Sequence, residues 1–224
     1  MQVEWYGQSA FALRTPEAVV FIDPFGDMSA AAARSMQFDY PPIEGVTADL
    51  LLVTHEHGDH NGVEAISGEP ETLRSTAGTL SSSIGDVVAV ASEHDAAAGT
   101  QRGPNTIFVF DLGGLRVAHF GDFGQATLRD EQAAAIGQVD LAFLPVGGGP
   151  TIGGTAAAQI ARRIGARWAV PMHYRTERID FLGPVDEFVE QIGGVHRVDG
   201  ASLFDTDRLP ASSGSALAVV PAAP

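Results

Sequence analysis

The chain has 224 residues and a formal net charge of −15, with 28 Asp and Glu against 13 Lys and Arg. A nucleic-acid partner needs clustered cations, and the cations here are scattered Arg residues, so none is expected. Cysteine and lysine are both absent, which removes disulfides, thiolate nucleophiles, cysteine-based zinc sites, Schiff-base chemistry and a Walker-type phosphate lysine.

Hydrophobic residues make up 45% of the chain, enough to bury a substantial core. The opening "MQVEWYGQSAFAL" alternates like a strand and lacks the basic start and apolar stretch of a signal peptide. No run approaches the roughly 18 apolar residues that cross a bilayer. A soluble cytoplasmic protein with no membrane partner is expected.

The first hundred residues read mostly as β structure. "QVEWYG", "AFALRT" and "AVVFID" are β-rich runs separated by turn residues, as in a meander. "SAAAARSM" reads as one short helix and "DYPPIEG" as a Pro-rich loop. "ADLLLVT" (48–54) is apolar almost throughout, which predicts a strand covered on both faces. "DVVAVAS", "TIFVFDL" and "LRVAHFG" predict further strands, the last two joined by a Gly-Gly hairpin. "TLRSTAG" is ambiguous.

Helix and strand alternate after residue 125. "RDEQAAAIG" predicts a helix, "VDLAFLPV" a buried strand, and "TAAAQIARRIG" a helix started by Thr155 and stopped by Gly165. "RWAVPM" is another buried strand, and "VDEFVEQIGG" a last helix with Val185, Phe188, Val189 and Ile192 on one face. "VHRVD" and "SLFD" read as edge strands. The expected organisation is one domain over residues 1–209, followed by a disordered tail, 210–224, rich in small residues and Pro.

Three of the seven histidines stand in "THEHGDH", directly after the strand predicted over 48–54. In extended backbone residues i and i+2 point the same way, so His55 and His57 can grip one ion together. Asp59 and His60 sit where the chain turns and can face a second ion. Imidazole nitrogens and carboxylate oxygens suit zinc, and also manganese or iron. Four more Asp and His residues stand just past the ends of other predicted strands: Asp23, His94, Asp122 and His173. In an α/β architecture such strand ends converge.

"FIDPF", "THEHGDH", "HFGDFG" and "PMHY" together resemble the successive motifs of the metallo-β-lactamase-fold hydrolases, over residues 1 to about 200. The second half is most similar to the branch containing ascorbate-6-phosphate lactonase-like proteins. This resemblance implies an α/β (α+β) fold, a four-layer αββα sandwich with the metals at one edge. It implies two divalent ions: His55, His57 and His94 on the first, Asp59, His60 and His173 on the second, and Asp122 bridging them. Asp23 would orient the ligands from behind, and His119, on a predicted strand, would support them without ligating.

The expected activity is hydrolysis of a small ester, lactone or phosphoester by a metal-bridging hydroxide, with Asp59 and Asp122 as catalytic residues. Tyr174, Arg175, Arg102, Asn105 and Gln8 are candidates to face substrate, Arg175 through a bidentate pair with phosphate or carboxylate. Gln8 is a departure, since many relatives of this branch carry histidine there. The Gly-rich "VGGGPTIGGT" lacks the Gly-Lys-Ser/Thr ending of a phosphate loop and reads as a wall of the metal cleft. His196 reads as a surface residue. The alternatives are a nuclease of the same fold, a diiron electron-transfer protein, whose motif has glutamate where His57 stands, and a catalytically silent metal-binding protein.

Overall fold

The computed structural model describes residues 1–32, 35–212 and 214–224. Two sheets lie face to face. The six-stranded sheet runs Leu203–Asp205, Gln2–Gly7, Ala10–Arg14, Val19–Ile22, Leu50–Val53 and Glu71–Arg74 in spatial order. The eight-stranded sheet runs Val195–Arg197, Leu217–Val220, Trp168–Met172, Leu141–Pro145, Leu115–His119, Pro104–Leu112, Gly85–Glu93 and Gly78–Ser82.

Alternation along each strand explains why the Leu50–Val53 run carries no polar residue. Leu50 and Leu52 point into the core between the sheets, together with Val20, Ile22, Phe11 and Trp5. Leu51 and Val53 point the other way, into a second apolar cluster with Phe21, Phe25, Tyr40 and Ile179. Full burial of each such side chain stabilises by about 1.5–3 kcal/mol. Both faces are therefore covered, as the sequence predicted.

The cover differs between the two outer faces. Over the eight-stranded sheet lie three helices, Asp130–Ile136, Gly154–Arg163 and Asp186–Ile192, which bury Ile136, Ala157, Ala158, Ala161 and Phe188 in the main core. Over the six-stranded sheet the cover is mostly loop, with the short helix Ser29–Ala32 and residues such as Tyr40, Ile43, Ile179 and Leu182. The chain is thus a layered α+β sandwich with one thick and one thin outer layer. Ala33 and Arg34, part of the helix predicted in "SAAAARSM", lie outside the described residues.

Two expectations are corrected. The helix expected to start at Thr155 begins at Gly154, capped by Gly153. A Cβ on Gly154 would come within 2.4 Å of the Phe188 backbone nitrogen, so the neighbouring helix packs directly on this turn. Its Glu187 accepts from Gly154 N and from Thr155 Oγ1, at 3.1 and 2.7 Å, which takes over the capping role expected of Thr155.

The segment expected to be a disordered tail contains the strand Leu217–Val220. It pairs in parallel with Trp168–Met172 on one side and with Val195–Arg197 on the other. Ala218, Val219 and Val220 are buried in the main core. No helix among the described residues is long and apolar enough to cross a membrane.

Candidate metal centre

Strand direction delivers the site. Val19–Ile22 and Leu50–Val53 are parallel, so Asp23 and His55 leave the six-stranded sheet at the same edge. Leu115–His119, Leu141–Pro145 and Trp168–Met172 are also mutually parallel. Gly85–Glu93 runs in the same sense, because two antiparallel pairings separate it from Leu115–His119. His94, Asp122 and His173 therefore leave the eight-stranded sheet at one edge, facing the histidine motif.

Seven side chains converge there in two groups. His55, His57 and His94 form one, and Asp59, His60, Asp122 and His173 the other, with the potential ligand atoms of each group within 4.8 Å of one another. Asp122 sits between them. Its Oδ2 lies 3.0 Å from His94 Nε2, 3.2 Å from His173 Nε2 and 3.9 Å from His55 Nε2, and its Oδ1 lies 3.2 Å from His60 Nε2.

Hydrogen bonds behind the cluster set which nitrogens face inward. Asp23, fully buried, accepts from Thr54 N at 2.8 Å, from Thr54 Oγ1 at 2.7 Å and from His60 Nδ1 at 2.9 Å. Because the Thr54 hydroxyl proton goes to Asp23, its oxygen is left to accept from His55 Nδ1, 3.0 Å away. His94 Nδ1 donates to the Pro150 carbonyl at 3.1 Å. These assignments follow from the network, and they turn Nε2 of His55, His60 and His94 into the cluster, where His55 Nε2 also lies 3.1 Å from His57 Nδ1.

The donor set fits divalent cations. Buried His60 Nε2 and Asp122 Oδ1 have no hydrogen-bond partner among the described residues, although they face each other. Buried polar atoms left unpaired are costly, and a cation between them would satisfy both. Electrostatics agree. Burial alone would raise Asp122, but His173 and His60 hold its carboxyl well below the usual range. Burial opposes protonation of His60, yet Asp122, Asp59 and Asp23 together raise it well above the ordinary histidine value. Burial, and then His60, push His55 down to about 2. The carboxylates gather positive charge, and His55 stays neutral, the form that coordinates a metal.

Backbone geometry adds to this. Gln8, Asp23 and His173 have φ of 50, 50 and 51°, a left-handed conformation uncommon for residues with a side chain. All three stand at turns into the cluster. Gln8 donates through Nε2 to Asp59 Oδ2 at 2.8 Å, and its backbone oxygen accepts from His173 N at 3.2 Å. Gln8 thus supports Asp59 from behind instead of lining the cleft.

Several residues escaped the sequence reading. Thr54 couples Asp23 to His55, as described. Asn105, expected to be a substrate candidate, is buried: its Oδ1 accepts from Asp122 N at 3.0 Å, and its Nδ2 donates to Ser92 Oγ and the Phe120 carbonyl, both at 2.8 Å. Gly121, at φ 54°, leaves no room for a Cβ, which would lie 2.4 Å from Asn105 Oδ1 and 2.5 Å from Thr54 Oγ1. The "GD" pair was the only sequence sign of that tight turn.

A cleft of about 450 Å³ opens over the cluster, exposing His57, Asp59, His94, Asp122 and His173. Arg102 and Pro150 line it, and Pro150 is the residue through which "VGGGPTIGGT" reaches the cleft among the described residues. Tyr174 does not line it. Its ring stacks on Trp5 at 5.4 Å, and burial pushes its phenol up. Arg175 is exposed, outside the cleft lining, and its backbone is tied to Gly183. The turn at His173 sends these two neighbours away from the site. His119 is buried, with Nε2 donating to Ser9 O at 3.0 Å and Nδ1 accepting from Gly121 N at 3.2 Å, so both nitrogens are used. His196 is half-buried on an edge strand, away from the cluster.

Comparison with known proteins shows the family. Residues 2–173 match the model of the β-lactamase superfamily domain. A UPF0173 protein of Pyrococcus abyssi is 30% identical over 79% of this chain and 84% of its own length. The chain belongs to the UPF0173 family of the metallo-β-lactamase superfamily. A UPF0173 metal-dependent hydrolase of Thermococcus kodakarensis is 29% identical over 79% of this chain and 85% of its own length. Among solved structures, a Thermotoga maritima protein described as a candidate zinc-dependent hydrolase of this superfamily superposes with a TM-score of 0.77. It is 27% identical, and the match covers 99% of this chain and 98% of that one. This hydrolase is therefore a metal-dependent enzyme whose His and Asp cluster can bind metal.

Proposed function

We propose that the chain is a dinuclear hydrolase of a small-molecule ester, lactone or phosphoester. His55, His57 and His94 would hold one ion, Asp59, His60 and His173 the other, and Asp122 would touch both. The observation that carries this reading is the division of seven inward-facing side chains into two groups with a single carboxylate between them. Zinc suits the donors best, as it is described for the Thermotoga relative, and manganese or iron also fit. When bound, such ions lower the pKa of water towards about 7 and polarise a scissile carbonyl or phosphoryl oxygen.

The chain's own residues do the rest. Asp23, Thr54 and Asn105 hold His60, His55 and Asp122 in their ligating orientations. Asp59, steadied by Gln8, has its carboxyl lowered despite burial, by His60 foremost, so it is ionised and able to accept a proton near the reacting atoms. A nuclease is disfavoured, because Arg102 is the only Arg lining the cleft among the described residues.

The test is metal analysis of the purified chain, followed by reconstitution with zinc or manganese and assay on lactones, thioesters, phosphodiesters and β-lactams. About two ions per chain are expected, with activity on one substrate class falling at least about 100-fold in His57→Ala and in Asp122→Asn. Well under one ion per chain, or hydrolysis indifferent to His57→Ala, would overturn the reading.

A further inference from the structure

Arg102 is the one cationic Arg or Lys side chain lining the cleft among the described residues, and it has no ion-pair or side-chain hydrogen-bond partner among them. Its backbone is fixed from beneath. Asp95, next to His94 and itself 7% exposed, accepts four backbone N–H groups of one loop. Its Oδ1 takes Ala97 N and Gly99 N at 2.8 and 3.0 Å, and its Oδ2 takes Gln101 N and Arg102 N at 3.0 and 2.8 Å. The loop is closed by His94 N to Gly103 O at 3.1 Å and Gly103 N to Gly99 O at 3.0 Å.

A surface loop organised around a buried carboxylate, starting at a residue of the metal cluster, sets the backbone from which the Arg102 side chain reaches the cleft. The guanidinium itself is exposed and unpaired among the described residues, so its planar fork is free to pair with an anion that enters the cleft. The cleft also offers Met28, Ala31, Met36 and Phe181 as an apolar wall.

We infer that Arg102 selects the substrate by pairing with a free carboxylate at the end of an acyl chain, whose ester or lactone group reaches the His and Asp cluster. This rests on the hydrolase reading and names its substrate class. A monoanionic carboxylate matches one guanidinium fork through two parallel hydrogen bonds. A phosphate dianion would call for more than one cation, and the cleft's other charged groups beside the histidines are Asp27, Asp59 and Asp122. The apolar wall fits the methylene body between the two ends.

The experiment compares the 4-nitrophenyl monoester of glutaric acid with neutral 4-nitrophenyl butyrate, on the zinc-loaded full chain. The carboxylate ester should be favoured roughly ten- to a hundredfold in kcat/KM, chiefly through KM, as expected for a charge-assisted pair. Arg102→Gln should collapse that ratio towards one, Arg102→Lys should retain part of it, and Arg208→Gln, a charge-matched change on another face, should leave the ratio intact.

A parallel calorimetric titration with unreactive glutaramate and its neutral diamide reads binding without turnover, and glutaramate should bind more weakly to Arg102→Gln. If both esters turn over without preference, or Arg102→Gln leaves glutaramate affinity unchanged, the inference fails while the hydrolase reading stands. If neither ester is hydrolysed but glutaramate binding depends on Arg102, the carboxylate site stands and the assignment of an acyl ester as the substrate fails. Preference for 4-nitrophenyl phosphate over the glutarate ester would also overturn the inference.

Discussion

Gly121 stands between two elements that must both approach Asp122, the Asn105 side chain and the Thr54 hydroxyl. A methyl group at that position meets both at under 2.6 Å and is strained by a φ of 54°. Gly121→Ala should therefore cost about 1–3 kcal/mol as an overpacked substitution. It should also weaken metal binding, because the turn that aims Asp122 moves with it. Urea unfolding and a metal titration on the same variant separate the two effects. Glu56, between two histidines of the motif, is a different kind of support. Its carboxylate accepts from Arg74, Ser75 and Asn61, and the Arg74 hydrogen bonds foremost lower it to about 2. A lowered carboxyl stabilises fully above its unfolded value near 4.5, and that contribution is lost as pH falls towards 2. The side chain is half exposed, so the clamp is worth at most about 1 kcal/mol. Glu56→Gln should be less stable than the parent at pH 7, with the gap in urea midpoint narrowing as pH falls below about 4.5.

At the level of elements, the strand Leu217–Val220 carries more than its composition suggests. It lies inside the eight-stranded sheet, so deleting residues 210–224 would strip Trp168–Met172 of a neighbour and detach Val195–Arg197. Such a truncation should lower the thermal midpoint sharply or abolish folding, measured by far-UV dichroism on heating, whereas removal of a disordered tail would change nothing. "SALAVVPAAP" was hard to read as a strand because its four-residue β-favouring run "LAVV" is short and set among Ala, Ser and Pro. Its conformation comes from two parallel partners distant in sequence. The metal-bearing strand ends were legible for the opposite reason. Apolar runs such as "LLLV" and "LAFLP" declare burial locally, and a polar ligand type directly after each run marks its exit from the core. Tyr174 and Arg175 were misplaced because sequence proximity to His173 carries no information about a left-handed turn. Asp95 and Asn105 work through backbone groups of other segments, which no local pattern encodes.

Across the whole molecule, the two sheets contribute to one cluster from opposite sides: Asp59 and three histidines from the six-stranded sheet, and His94, Asp122 and His173 from the eight-stranded sheet. Ions held there would join the sheets at one edge, and the linkage should appear in stability. Saturation at 100 times the dissociation constant is worth about 2.7 kcal/mol, which for a chain of this size raises the thermal midpoint by roughly 5–10 °C. In metal-free protein, a proton on His60 offsets part of the carboxylate charge, because Asp122, Asp59 and Asp23 outweigh burial and raise its pKa. A raised histidine contributes stability that is fully present below its unfolded value of about 6.5 and is lost as pH climbs through the folded value. Metal must displace that proton, so binding is weakened at low pH and the protonic substitute disappears at high pH. The gap in midpoint between zinc-loaded and chelated protein should therefore widen from pH 6 to pH 9. In Asp122→Asn, which removes the carboxylate shared by both groups, the gap should shrink at every pH. A gap that narrows with rising pH in the parent chain would mean that His60 is not among the groups the metal displaces a proton from.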